Sequence, residues 1–130
     1  MSSDLRFHHV GIACRNVRRT LKFITDTHPV KRATEILYDT NQKADVCLVT
    51  LEDGTSLELV SGGIVANLTR KGMTYYHICY EVDDIEGSVD RLTRDRCRLV
   101  WGPTEAILFD QRRVAFLYSP MGLIELLSRS

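Results

Sequence analysis

The chain has 130 residues, of which 44% are hydrophobic and 26% are charged, and this composition is typical of a globular domain with its own core. Its 17 basic and 17 acidic residues cancel, so the net charge favours neither a nucleic-acid nor a membrane partner. The apolar runs are far shorter than the ~20 residues that cross a bilayer, and the first residues show no signal or transit pattern. We therefore expect a cytoplasmic protein in which residues 1–130 form a single domain.

The first half of the chain predicts one helix among four strands. Asn16 is a plausible N-cap, because the apolar residues after it recur at helical spacing until the chain approaches Pro29. The turn Glu52-Asp53-Gly54 indicates a hairpin. The predicted elements, in chain order, are a strand at Leu5–Ala13, a helix at Val17–Asp26, and strands at Thr34–Tyr38, Asp45–Leu51 and Thr55–Val60.

The second half repeats this order after a connector at about 62–73, in which one helical turn is expected at Ile64–Leu68. Asp83 or Asp84 caps the second helix, and Gly102-Pro103 is expected to end a strand. The predicted strands are Tyr75–Val82, Arg98–Trp101, Thr104–Phe109, Arg113–Tyr118 and Leu123–Ser128. We interpret the two halves as β-α-β-β-β modules at about 5–61 and about 74–129, which predicts an α+β fold.

A short sequence pattern occurs once in each module. When His9 is placed on His77, the strands Phe7–Ala13 and Tyr75–Val82 align, and the helices after them stay in register. The repeat resumes in the last strand of each module, where Glu58 matches Glu125. Glu58 follows His9 by 49 residues, and Glu125 follows His77 at almost the same separation. Such agreement in sequence, element order and spacing indicates an internal duplication.

The repeated His and Glu residues predict a metal site. A glutamate within an apolar strand can simply face solvent, but two at matched positions, each with a matched strand histidine, favour paired or metal-bound carboxylates, since burying a lone charge is costly. Two imidazoles and two carboxylates suit one divalent ion such as Co, Ni, Mn, Zn or Fe and leave positions open for substrate oxygens. This donor set argues against a closed structural zinc site with thiolate ligands.

The chain resembles the vicinal oxygen chelate superfamily, which includes glyoxalase I, methylmalonyl-CoA epimerase, extradiol dioxygenases and the bleomycin- and fosfomycin-resistance proteins. The resemblance rests on three segments, 7–13, 76–83 and 120–126, and covers nearly the whole chain; the segments are most similar to those of methylmalonyl-CoA epimerase and glyoxalase-like proteins. It implies a fold in which two repeated βαβββ modules form a curved mixed sheet around a metal site. It also implies metal ligands at the positions listed here: His9, Glu58, His77 and Glu125.

The resemblance further implies a metal-dependent isomerase, epimerase or lyase. Such an enzyme removes a proton next to the carbonyl of an acyl-CoA thioester or a hemithioacetal-like substrate, and the metal holds the resulting enolate. The family pattern makes Glu125 the principal base, with Glu58 as a ligand that has a possible second proton role. The expected partners are a small-molecule substrate and a second copy of the chain in a homodimer, with no nucleic acid and no membrane.

The chain departs from the family in two regions that border the family's pocket. The aromatic pair and Leu-Gly that usually follow the first helix are replaced by a stretch ending in Thr27-His28-Pro29, and the loop at 110–113 is short. Family substrates therefore do not transfer directly. The alternatives are a non-catalytic small-molecule (antibiotic-type) binding protein, a ring-cleaving dioxygenase, or a homologue with a vestigial metal site.

Overall fold

The computed structural model describes residues 4–130, in which nine strands and three α-helices occur, and it divides into two compact units. The first unit comprises His9–Tyr76, and the second comprises His77–Ser130 together with the residues up to His8. Each unit contains a helix that packs on one face of β-strands, so the protein is an α+β protein, as predicted. In the described part of the chain, no helix is long and apolar enough to span a bilayer.

The elements of the first part of the chain are β1 Arg6–Cys14, α1 Val17–Thr27, β2 Val30–Ala33, β3 Leu37–Asp39, β4 Ala44–Leu51, β5 Ser56–Ser61 and, after a 3-10 turn at Gly63–Val65, α2 Ala66–Arg70. Four of these strands form a mixed arrangement in the order β2-β4-β5-β1, and β3 also pairs with β4. Strand β1 is parallel to β5, whereas β4 and β5 form an antiparallel hairpin.

Helix α1 forms where its sequence provides a cap and an apolar stripe. The side chain of Asn16 accepts a hydrogen bond from the backbone N–H of Arg19, as its predicted N-cap role requires. Val17 and Ile24 are buried against Cys47, Val49 and other apolar residues of the strands, which form the core of this unit. This core occupies one face of the strands, so the side chains of His9 and Glu58 project from the other face.

The remaining elements are β6 Tyr75–Val82, α3 Ile85–Thr93, β7 Arg98–Glu105, a 3-10 turn at Ile107–Phe109, β8 Arg113–Ser119 and β9 Gly122–Ser128. The second unit repeats the arrangement of the first, with its strands in the order β6-β9-β8-β7. Strands β6 and β9 are parallel, and β9-β8 and β8-β7 are antiparallel. Asp84 rather than Asp83 caps α3, because its side chain accepts a hydrogen bond from the N–H of Gly87.

Two predicted strands were placed wrongly. The strand predicted at Thr34–Tyr38 is mostly absent: residues 34–36 lie between β2 and β3, and only the last two residues of the predicted range belong to β3. At this break the Thr34 side chain accepts a hydrogen bond from the N–H of Leu48 and interrupts the ladder. The strand predicted at Thr104–Phe109 does not exist: β7 continues through Gly102-Pro103 to Glu105, and Ile107–Phe109 is a 3-10 turn. Strand β7 tolerates Pro103 because it lies at the end of the strand order, next to a register shift.

Candidate functional site

The first His/Glu pair lies on two neighbouring parallel strands of the first unit. His9 Nε2 on β1 is 3.0 Å from Glu58 Oε1 on β5. His9 is 0% exposed and Glu58 only 3%. The first unit therefore brings together two of the four residues that the sequence predicts as metal ligands.

The strand register explains how Glu58 reaches His9. Gly11 lies directly opposite Glu58 on β1, and His9 is the next residue on the same face. The carboxylate of Glu58 therefore approaches the imidazole of His9 next to the small residue Gly11. On its other side, Glu58 is in register with Leu48 of β4.

The second unit contains the matched pair. His77 Nε2 on β6 is 3.0 Å from Glu125 Oε1 on β9, and the two residues are 4% and 2% exposed. Cys79 lies opposite Glu125, in the position that Gly11 has in the first unit. The duplication inferred from the sequence thus reproduces the same distance and nearly the same burial.

The surroundings of the two glutamates differ. On β8, Phe116 is in register with Glu125, and its ring packs edge-on against the imidazole of His77, with 5.3 Å between the ring centroids. Trp101 on β7 is in register with Phe116, and the centroids of the two rings are 6.0 Å apart. Glu125 therefore has an aromatic wall on one side, whereas Glu58 has the smaller Leu48. Neither Phe116 nor Trp101 was predicted from the sequence as a site residue, although the alternation of β8 places Phe116 on the face of Glu125.

The chemistry of each pair fits a metal ion. A buried carboxylate costs several kcal/mol unless a proton, a cation or several hydrogen bonds compensate it. In each unit an imidazole nitrogen and a carboxylate oxygen approach the same point, and these are the donors that divalent transition metals accept. His9, Glu58, His77 and Glu125 are all buried residues of metal-ligating types. The two pairs are therefore candidate metal ligands.

Several other conspicuous residues have structural roles. His8 packs edge-on against Phe109, with 5.7 Å between the ring centroids. Arg112 pairs with Glu81 and donates from Nε to the carbonyl of Ser128 at 2.7 Å, so it connects β6 and β9. Arg113 pairs with Glu86, and this ion pair lowers the pKa of the Glu86 carboxyl.

The four cysteines are free thiols, and each of them is buried or partly buried. Cys14 and Cys47 belong to the apolar core beneath α1. Burial raises the pKa of both thiols, so the neutral form is favoured at physiological pH. Cys14 and Cys47 therefore act as small apolar core residues.

Comparison with known proteins gives the same family that the sequence motifs suggest. A family model described as "Glyoxalase/Bleomycin resistance protein/Dioxygenase superfamily" matches residues 8–116. No curated protein matches the chain at a significant level.

Solved structures are similar along almost the whole chain. Methylmalonyl-CoA epimerase from Mycobacterium tuberculosis has a TM-score of 0.84 at 18% identity, covering 100% of this chain and 93% of the other. Methylmalonyl-CoA epimerase from Streptomyces coelicolor in complex with 2-nitronate-propionyl-CoA has a TM-score of 0.75 at 20% identity, covering 97% and 98%. A hypothetical protein from Bacillus halodurans has a TM-score of 0.76 at 19% identity, covering 99% and 96%. At these identities the structures show a shared fold, and the family match shows that the chain belongs to the glyoxalase/bleomycin resistance protein/dioxygenase superfamily.

Proposed function

We propose that the protein is a metal-dependent enzyme that removes a proton from a carbon next to a carbonyl group, as an epimerase, an isomerase or a glyoxalase-type lyase. His9, Glu58, His77 and Glu125 together hold one divalent ion, with Co, Ni, Mn, Zn and Fe as the candidates. The observation that carries the proposal is the repeated pair: in each unit a histidine Nε2 and a glutamate Oε1 lie 3.0 Å apart in a buried environment. When bound, such an ion polarises a carbonyl and stabilises developing negative charge.

The protein's own residues supply the proton transfer. Glu125 acts as principal base and takes the α-proton on a carboxylate oxygen, and Glu58 is the second proton carrier. In an inversion, Glu58 starts protonated and donates its proton to the opposite face of the same carbon, while Glu125 keeps the proton that it took. In an isomerisation of an α-hydroxy ketone, Glu125 returns its proton to the neighbouring carbon. A positioned carboxylate typically contributes about 10²–10⁴-fold as a general base. Phe116 and Cys79, which flank Glu125 in the strand register, exclude water from its side of the site.

The substrate class follows from two sources. The Streptomyces coelicolor epimerase was solved with an acyl-CoA analogue, which favours an acyl-CoA thioester, and the family's glyoxalase members favour a hemithioacetal. Both carry the carbonyl-type oxygen and the acidic carbon that the proposed chemistry requires. The homodimer and the cytoplasmic location remain predictions from the sequence.

Solvent deuterium exchange tests the proposal. Wild-type protein supplied with the metal that it retains should exchange the α-proton of a suitable acyl-CoA or hemithioacetal for deuterium, as followed by NMR. Glu125→Gln should fold normally and lose this exchange, because the amide cannot take the proton. Full exchange in Glu125→Gln would contradict its role as base, and the lack of exchange with every α-acidic carbonyl tested would favour a binding protein.

A further inference from the structure

Beside Glu58, the first unit carries a row of three polar side chains that none of the proposed roles uses. Arg32 of β2 is in register with Thr50 of β4, and Thr50 is in register with Ser56 of β5. Residues in register on neighbouring strands point to the same face. Since Val49 belongs to the core on the opposite face, the row lies on the face of Glu58.

The row is close to the glutamate. Ser56 precedes Glu58 by two residues on β5, which is one same-face step of about 7 Å. Thr50 Oγ1 lies 3.3 Å from Ser56 Oγ. In a hydrogen bond between two hydroxyls, one O–H is used and the other is left to donate elsewhere. The pair can therefore present one donor to a ligand.

Arg32 adds charge at the end of the row. Its side chain is exposed, and among the residues that the structure describes no carboxylate pairs with it. A guanidinium binds a carboxylate or a phosphate with two parallel N–H donors. Arg32 with the Thr50–Ser56 pair thus provides the donors for one anionic oxygen group.

The matched row of the second unit is different in character. There Arg98 is in register with Tyr118, and Tyr118 with Leu123. The guanidinium of Arg98 lies over the Tyr118 ring, 5.5 Å from its centroid. An arginine therefore occurs in both rows, but of these two rows only that of the first unit has a hydrogen-bonded pair of aliphatic hydroxyls next to it.

We propose that the row Arg32–Thr50–Ser56 binds a second anionic group, a carboxylate or a phosphate, of a substrate whose reacting end is held at Glu58. This inference rests on the proposed function and narrows its substrate class. The substrate has its chelating oxygens at one end and an anion a few carbon atoms away. The anion orients the substrate along β5 and decides which end approaches the base.

The test compares ligands that differ only in the distal group. Binding of 2-oxoglutarate, of its phosphonate analogue 2-oxo-4-phosphonobutanoate and of 2-oxopentanoate is measured by calorimetry on metal-loaded protein. One of the two anionic ligands should bind about 10-fold more tightly than 2-oxopentanoate, as expected for a charge-assisted hydrogen bond. The ligand that binds more tightly indicates whether the natural substrate carries a carboxylate or a phosphate at this position. Arg32→Met should abolish this advantage, and the control Arg98→Met should retain it. Equal affinities for all three ligands in the wild type would overturn the proposal.

A second measurement separates this inference from the metal proposal. Glutarate lacks the oxo group, and it is titrated into metal-free protein while the amide resonances of Thr50 and Ser56 are followed by NMR. Saturable shifts that disappear in Arg32→Met support the row even if no metal binds. Suppose that metal-loaded protein binds 2-oxoglutarate, that glutarate causes no shift, and that Arg32→Met does not change the affinity for 2-oxoglutarate. The proposal that the row binds an anionic group is then wrong, and the metal proposal stands.

Discussion

The ring of Phe116 contacts the imidazole of His77 edge-on, with an interplanar angle of 87° and 5.3 Å between the centroids. The contact restricts the orientation of the imidazole. Phe116 is also in register with Glu125, so one aromatic side chain lies next to both members of the second pair. The residue that is in register with Glu58 on β4 is the smaller Leu48.

Phe116→Leu should therefore weaken metal binding more than its effect on stability explains. Loss of the edge-to-face contact costs about 1 kcal/mol in the free energy of unfolding, and poorer orientation of His77 lowers metal affinity by about 10-fold. Chelator competition measures the affinity, and urea denaturation of metal-free protein measures the stability. The control is Leu117→Ala, which removes most of a buried side chain on the opposite face and leaves a cavity. It should lower the free energy of unfolding by about 2–5 kcal/mol without a comparable loss of metal affinity. Unchanged affinity in Phe116→Leu would show that the ring only fills space.

Gly11 should not tolerate a branched side chain. Gly11→Val puts a branched side chain, larger than the Cys79 side chain of the matched position, next to the carboxylate of Glu58, and we expect it to push that carboxylate away from His9. We expect metal affinity to fall by at least about 10-fold, whereas Cys79→Val at the matched position replaces one small side chain by another and should have a smaller effect. Chelator competition on both variants gives the comparison, and equal losses would argue against the role assigned to Gly11.

The buried thiols predict a loss of stability in alkaline solution. Burial raises the pKa of Cys14 and Cys47 above the ordinary value of 9.0, so the unfolded chain releases these protons at a lower pH than the folded chain. The stabilisation is therefore complete below about pH 9 and is lost as the pH rises from there through the raised pKa values. Urea denaturation between pH 8 and pH 10.5 should show a steeper decline for wild type than for the double variant Cys14→Ala/Cys47→Ala. Parallel curves would contradict the prediction.

The sequence predicted those parts of the fold that depend on local patterns. Asn16 and the apolar spacing after it defined α1, and the Glu52-Asp53-Gly54 turn defined the β4-β5 hairpin. The two errors occurred where tertiary contacts override local preference. Thr34 interrupts a strand through its bond to Leu48, and the sheet edge allows β7 to continue past Pro103.

The residues of the candidate site could be predicted from the sequence because the His and Glu residues occur once in each module. His9 and His77 align, and the glutamates then align without a further assumption, so the pairing within each unit could be predicted. The residues around the glutamates could not, because which side chain lies beside Glu58 depends on the register between β2, β4 and β5. A bulge between Val30 and Arg32 shifts that register, and no local pattern in the sequence indicates it.

The central claim is that both pairs hold one ion, and metal stoichiometry tests it most directly. Protein purified without chelator and analysed for metals should contain about one divalent ion per chain. The variants His9→Ala and His77→Ala, each of which leaves the other pair intact, should both lose that ion. The control His28→Ala should retain it, since His28 follows α1 and its Nδ1 lies 2.8 Å from the hydroxyl of Thr27. A chain that holds no stoichiometric metal, or one that keeps its full metal content when only one of the two pairs is disrupted, would contradict the account.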